Sequence, residues 1–279
     1  MISRRQLLAA AALPACAKPA FRAEVGINIY SLRNEAAKDL PGTLALIREL
    51  GFRKVEAGDL YGRSPDQFLR LLKGAGLQAV SMGTPYAALK RDAAAVGAQA
   101  HALGADFVVC DTVPHSAKHL AEKDVPPAAE ALNRWGKRLL EDGIRLCYHT
   151  HGTEFDPSPD GTRFDTLMRL TNPAHVGFEM DIFWIVYGFQ DPVKLLKRYP
   201  GRFPLMHVKD IRKGTKLGGS PADVLEEESV PLGTGLVNVR AALFAAQEQG
   251  LRHFFLEEEA VPALPQIRQS LTYLKGLRG

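Results

Sequence analysis

The chain is short of cysteine and has neither a long apolar run nor a charge excess of one sign. Each shortage removes a class of protein. Three cysteines, Cys16, Cys110 and Cys147, in 279 residues are too few for a disulfide framework, so a hydrophobic core must hold the fold. Cys110 and Cys147 lie in strand-like apolar runs and are expected as buried, unpaired thiols, a single bridge between them being the other arrangement. The apolar stretch near the amino terminus is too short to span a bilayer as an ordinary helix. Acidic runs at 226–228 and 257–259 offset the basic residues, and the formal net charge of +4 is spread along the chain. Nucleic acid is therefore not an expected partner.

What is present is enough apolar residue, 46% of 279, to build one large core, which suits one barrel-sized domain better than two small ones. The first 23 residues stand apart. Ser3-Arg4-Arg5-Gln6-Leu7-Leu8 followed by alanines to Ala15 has the layout of a twin-arginine export signal, and Leu13-Pro14-Ala15-Cys16 has that of an imperfect lipoprotein box. The expectation is export to the periplasm or beyond, with Cys16 as a possible lipid anchor and the folded domain at 24–279. The twin-arginine route carries folded proteins, so it suits an enzyme that takes up its metal beforehand.

From residue 24 onward short strand-like runs alternate with longer helical ones. Strands are expected at 25–30, 53–56, 78–82, 107–110, 145–149, 176–181, 204–208 and 253–257. Helices are expected at 41–50, 65–73, 87–103, 128–141, 164–170, 193–198, 237–249 and 264–277. Gly51, Gly76, Gly104, Gly143 and Gly250 follow helical runs where a left-handed cap is needed. Eight such units predict a closed (β/α)8 barrel. A doubly wound open sheet would need a Gly-rich phosphate loop after the first strand, and Gly26-Ile27-Asn28-Ile29-Tyr30 offers none. Residues 210–235 form the longest irregular stretch and are expected to cover the barrel mouth.

In such a barrel the chemistry sits at the carboxyl ends of the strands. The strands end in Asn28 and Tyr30, Glu56, His149 and His151, Glu179 and Asp181, His207 and Lys209, and Glu257 and Glu259. Residues two apart share a face of a strand, so each pair can address the barrel axis. Gathering so many ionisable groups without a cation would cost several kcal/mol per unpaired charge. His149, Asp181, His207 and Glu257 offer two imidazoles and two carboxylates, a set suited to one divalent ion such as Mn, Zn, Co or Fe.

Four segments carry a resemblance. Tyr148-His149-Thr150-His151-Gly152-Thr153-Glu154-Phe155, Glu179-Met180-Asp181-Ile182-Phe183-Trp184, the run 200–210 containing His207-Val208-Lys209-Asp210, and Leu256-Glu257-Glu258 resemble successive motifs of the sugar phosphate isomerase/epimerase family, the xylose isomerase-like barrels. The resemblance implies metal ligands at His149, Asp181, His207 and Glu257 and proton transfer next to a sugar carbonyl. Many members carry glutamate at the end of the fifth strand, where this chain has His149. That neutral ligand leaves metal plus ligands near zero charge and removes one of two paired carboxylate bases. The His-x-His ending is similar to the inosose dehydratase branch, whose members expel water β to a ketone.

Isomerisation, epimerisation with a histidine as second base, and elimination all share one core, in which a base takes the proton α to a polarised carbonyl. Glu257 is the candidate base, with His151 and Glu56 as acid/base alternatives and Lys209 as a stabiliser of developing negative charge. Asn28, Tyr30, Phe183 and Trp184 are expected to wall the sugar pocket.

Plainer roles stand beside these. In them His151 only orients His149 or caps its loop, Glu56 pairs with Lys54 or Arg53 at the surface, Lys209 pairs with Asp210, Glu179 supports a buried arginine, and Glu258 contacts a helix. His101, His115, His119, His175 and His253 take no role. A small-molecule carbohydrate, unphosphorylated because an exported enzyme seldom meets sugar phosphates, is the expected substrate. Two other readings compete: a multi-metal phosphodiesterase, against which Trp184 stands where a further histidine ligand belongs, and an exported sugar- or metal-binding protein without catalysis.

Overall fold

The computed structural model describes residues 20–113, 120–159 and 161–278. The paired arginines, Cys16, His115 and His119 lie outside them. Eight strands, β1 (Val25–Asn28), β2 (Lys54–Ala57), β3 (Gln78–Thr84), β4 (Phe107–Cys110), β5 (Arg145–His149), β6 (Val176–Asp181), β7 (Leu205–Val208) and β8 (His253–Leu256), close into a barrel, each parallel to its sequence neighbour, with β8 beside β1. Helices connect them on the outside, among them Leu40–Glu49, Pro65–Gly74, Tyr86–Leu103, Val125–Leu140, Arg163–Leu170, Pro192–Arg198, Val239–Glu248 and Leu264–Gly276. This is a single-domain (β/α)8 barrel.

Alternation along the strands sorts the residues. Val80, Val109, Cys147, Leu205 and Phe255 fill a compact layer inside the barrel, while their neighbours Val108, Leu146, Phe254 and Met206 join the larger core between strands and helices. Both faces are apolar, as a parallel sheet covered on each side requires. Gly26 makes the inner layer possible, because a Cβ there would lie 2.5 Å from the Lys54 carbonyl oxygen and 3.0 Å from the Phe255 ring. Cys110 and Cys147 are buried free thiols. One step further along each strand the inner layer becomes polar, and that step is the floor of the mouth.

Local chemistry sets the element ends. Ser64 and Gln67 form a reciprocal capping box at Pro65–Gly74, and Gly104 closes Tyr86–Leu103 in the left-handed conformation with φ of 71°, both as their residue types favour. Tyr86–Leu103 breaks at Asp92, whose side chain accepts from the Ala95 N–H at 3.0 Å and so caps a second helical half.

The structure differs from expectation in three places. β1 stops at Asn28, whose side chain accepts from the Tyr30 N–H at 2.9 Å and turns the chain into a 3-10 turn, so Tyr30 leaves the barrel axis for the rim. Two helices, Arg33–Lys38 and Ile182–Tyr187, were not expected. Phe21, assigned to the leading segment that ends at residue 23, is buried against Phe244 and Phe254, with ring centroids 6.2 and 5.2 Å away. The packed domain therefore begins before Glu24. Among the described residues no helix is long and apolar enough to cross a membrane.

The long segment after β7 does border the mouth. Residues 210–211 pair antiparallel with 229–230, and the Asp210 carboxylate accepts from the N–H groups of Ile211, Gly233, Gly235 and Val237, each at 2.9 Å. Asp210 is thus the internal tie of this loop and not an ion partner of Lys209.

Candidate metal centre

The strand register decides which polar groups meet. It sets Asn28 beside Glu56, His149 beside Glu179, and Asp181 beside His207. All are buried, and all but Asp181, which lies beneath, join Glu257 in lining a cavity of about 580 Å3 at the carboxyl end of the barrel.

Within this cluster the two histidines present different nitrogens to different acids. His149 Nδ1 lies 2.9 Å from Glu179 Oε2, and its Nε2 faces Asp181 Oδ2 at 3.8 Å. His207 Nε2 lies 2.8 Å from Glu56 Oε1, while its Nδ1 faces Glu257 Oε2 at 3.3 Å and Asp181 Oδ2 at 3.8 Å. Glu179 and Glu56 thus hold the far nitrogen of each ring, as carboxylates do behind metal-bound imidazoles. Asn28 braces the other side, its amide donating to Glu56 and Glu257 at 3.0 Å each, and Ser81 donates to Glu56 at 2.6 Å.

The residues fit a cation. Asp181 Oδ2 and His207 Nδ1 are buried with no hydrogen-bond partner among the described residues, although buried polar atoms without hydrogen bonds are costly. Asp181, His207 and Glu257 offer ligand atoms that lie within 4.8 Å of one another, as do His149, Glu179 and His207. The first group, with His149 Nε2 facing it, is the better cradle, because His149 Nδ1 and His207 Nε2, the ring nitrogens that face Glu179 in the second group, are already taken up by hydrogen bonds.

Charge is tightly coupled here. Burial would raise the carboxyl of Glu257, but Lys209 and His207 hold it well below the usual range, and Asp181 is likewise held low by Lys209 against its burial. Burial would raise Glu56 too, and the charge of His207 reverses that. At Glu179, burial and the neighbouring Glu56 outweigh His207 and His149 and push the carboxyl up to about 7. His207 resists burial and is held well above its ordinary value by Glu179, Glu257 and Glu56. Lys209 is wholly buried, its ammonium 2.9 Å from Glu257, 2.8 Å from Glu259 and 3.6 Å from Asp181.

His151 differs from both other histidines. Its ring lies against His149 and Trp184, at centroid distances of 4.4 and 5.7 Å, and its Nδ1 carries no hydrogen bond. Burial and the positive charge of His149 hold it neutral, well below its usual pKa. The turn that carries it is clamped by Glu154, which accepts from the His151 N–H at 3.0 Å and from the Tyr148 hydroxyl.

Asn28, Tyr30, Glu56, His149, His151, Trp184, His207 and Glu257 line the cavity. Phe183 does not. It is buried behind the floor, with Lys209 Nζ 5.0 Å from its ring centroid, because the helix Ile182–Tyr187 that Asp181 caps turns it inward. Glu56 meets His207 and not a surface cation, Glu179 meets a histidine and not an arginine, and Glu258 accepts from the Ala260 N–H. The sequence reading passed over Asp59 and Asp111, which line the cavity just past the ends of β2 and β4. Stepping past the last strand residue would have found both.

The sequence pattern of the xylose isomerase-like TIM barrel family matches residues 44–277. The chain belongs to this family. An inosose dehydratase from Clostridium beijerinckii is 25% identical over 224 residues, covering 73% of this chain and 71% of that protein. Among solved structures of the barrel, a sugar phosphate isomerase/epimerase from Parabacteroides distasonis superposes with a TM-score of 0.74 at 23% identity, covering 93% of this chain and 97% of that one. The IolI protein, solved with a bound zinc atom, superposes with a TM-score of 0.67 at 15% identity, covering 91% and 96%. Xylose isomerase-like membership makes this an enzyme-family barrel whose relatives include both isomerases by name and a lyase.

Proposed function

We propose that this protein is a divalent-metal-dependent enzyme that moves the proton next to a carbonyl of a neutral carbohydrate or keto-sugar. The observation that carries the reading is that Asp181 Oδ2 and His207 Nδ1, neither with a hydrogen bond among the described residues, converge with Glu257, while His149 Nε2 faces Asp181 at 3.8 Å. These four residues would hold the ion, which when bound supplies Lewis acidity toward a carbonyl and its neighbouring hydroxyl. Zinc in the IolI structure and the mixed imidazole and carboxylate donors support Mn, Zn, Co or Fe.

His151, which lines the cavity and is held neutral, is the proton acceptor of this proposal, whereas Glu257 is held ionised by Lys209 and serves as ligand. The base takes the proton from the carbon α to the carbonyl, and the C–H electron pair passes into the enediolate. Returning that proton to the adjacent carbon isomerises the sugar, and returning it to the opposite face of the same carbon epimerises it. Lys209 sits beside Glu257 and Glu259 to balance the negative charge. Trp184 and Tyr30 border the space for the ring.

A second reading is elimination, in which the enediolate expels a β hydroxyl that leaves as water with a proton from the protein. The inosose dehydratase relatives and the histidine in place of a second carboxylate at the end of β5 favour it. A neutral substrate is supported by the lining: six carboxylates and no lysine or arginine border the cavity among the described residues, a field that repels phosphate and carboxylate groups. Export directed by the amino-terminal segment ahead of Phe21 is part of the same proposal and accords with a free sugar as substrate; a reporter fused after residue 23 checks it.

The test is deuterium uptake from heavy water into a panel of ketoses, inososes and 3-keto-glycosides by the Mn- or Zn-loaded protein. Incorporation at the carbon α to the carbonyl is expected, with loss in His151→Asn and Asp181→Asn. Product identification then separates isomer from unsaturated ketone. Binding without any exchange would leave a non-catalytic sugar-binding barrel.

A further inference from the structure

The same alternation that puts His149 and Glu257 at the top of the barrel puts cations at its bottom. Two residues apart on one face, β5 reads Arg145, Cys147, His149 and β8 with its extension reads His253, Phe255, Glu257. On β2 the residue one pair below Glu56 is Lys54. The inward positions at the amino-terminal end therefore carry Arg145, His253 and Lys54, where a barrel normally closes with apolar side chains.

A cavity of about 270 Å3 opens at this end, bordered by Phe107, Arg145, Phe203, Arg252 and His253 among others, and no carboxylate lines it among the described residues. Two of its nitrogens, the buried Arg145 Nε and His253 Nδ1, have no hydrogen-bond partner among the described residues, where the rest of the Arg145 guanidinium makes a single 3.4 Å contact, to the Pro173 carbonyl. The His253 ring is fixed edge-on against Phe107 at a centroid distance of 5.4 Å. The basic groups also disfavour one another's charge. Burial lowers the pKa of His253, and Lys54 and Arg252 lower it further against the single opposing charge of Asp106. Burial and Arg145 likewise lower the pKa of Arg202. Asp106 is exposed, and Lys54 already has Glu24 at 3.5 Å, so neither neutralises the floor.

We infer that the amino-terminal opening of the barrel is a binding site for a small tetrahedral oxyanion, held by the guanidinium groups of Arg145 and Arg252 and the ring of His253. Guanidinium forks match such an ion through paired, charge-assisted hydrogen bonds. The ion gives Arg145 Nε its acceptor, accepts from His253 with the proton on Nδ1, and links β5 to β8 across the barrel axis. The site lies at the opposite end from the metal centre and does not depend on what that centre does.

Inorganic sulfate is the probe, titrated calorimetrically into the metal-loaded full-length protein at constant ionic strength against chloride. Saturable binding at one site is expected, together with a sulfate-specific rise in the thermal midpoint that chloride does not give. Arg252 is exposed, so Arg252→Gln leaves the fold intact and weakens sulfate binding by about ten-fold or more, the loss expected for a charged hydrogen-bond donor. Arg145→Gln with Arg252→Gln abolishes it, and His253→Phe, which keeps the contact with Phe107, weakens it. Equal effects of sulfate and chloride would overturn the inference. So would undiminished binding in Arg252→Gln, since sulfate would then be sitting elsewhere, the catalytic mouth included.

Discussion

Lys209→Met is the most informative single perturbation of the centre. Its ammonium is wholly buried, within 2.9 Å of Glu257, 2.8 Å of Glu259 and 3.6 Å of Asp181. Methionine keeps most of the volume and removes the charge, so the loss is electrostatic and leaves little cavity. Removing one partner of a buried pair costs about 3–5 kcal/mol, because the carboxylates left behind are neither solvated nor neutralised. At this chain length that corresponds to a fall in Tm on the order of 10 °C. Urea denaturation in chelator should show that loss, and the same titration with saturating Mn should narrow the gap, since a divalent ion among Asp181, His207 and Glu257 supplies the missing positive charge and binds only the folded state. A loss under about 1 kcal/mol in chelator, or a gap that Mn leaves unchanged, would refute the view that lysine and metal neutralise the same acids.

Three further outcomes follow from named contacts. Glu179 is pushed from 4.5 up to about 7 in the folded protein, so its contribution to stability is fully present below the unfolded value and is lost as pH rises toward 7; metal-free Glu179→Gln should lack that decline when midpoints in urea are compared across pH 4 to 8. Asp210→Ala removes the acceptor for four N–H groups at 2.9 Å and should cost roughly 2–4 kcal/mol, with new protease cuts between residues 212 and 236. Gly136→Ala places a Cβ 2.4 Å from the His175 carbonyl oxygen, forcing the helix Val125–Leu140 off the turn before β6 at a cost of about 1–3 kcal/mol, readable in thermal melts.

How far the sequence could be read depended on which quantity each feature rests on. The barrel was legible because eight strand-and-helix alternations are a property of local periodicity, and the inward apolar layer of Val109, Cys147, Leu205 and Phe255 is the same periodicity seen in three dimensions. Strand ends were legible for the same reason, and they gave the residues that meet at the floor of the mouth. Roles within that floor were not, because they rest on register. Glu179 faces His149 only because β5 and β6 pair at that step, and His207 reaches Glu56 only because the barrel closes.

Phe183 and Tyr30 show the other limit. A side-chain cap at Asp181 starts a helix that turns Phe183 inward, and a side-chain cap at Asn28 ends β1 early and sends Tyr30 to the rim. Each is one hydrogen bond competing with strand propensity. The cationic floor was missed for a different reason. Lys54, Arg145 and His253 look like ordinary surface residues at strand beginnings until the alternation fixed by Glu56, His149 and Glu257 is carried backward along each strand, which shows that the three must face the barrel axis.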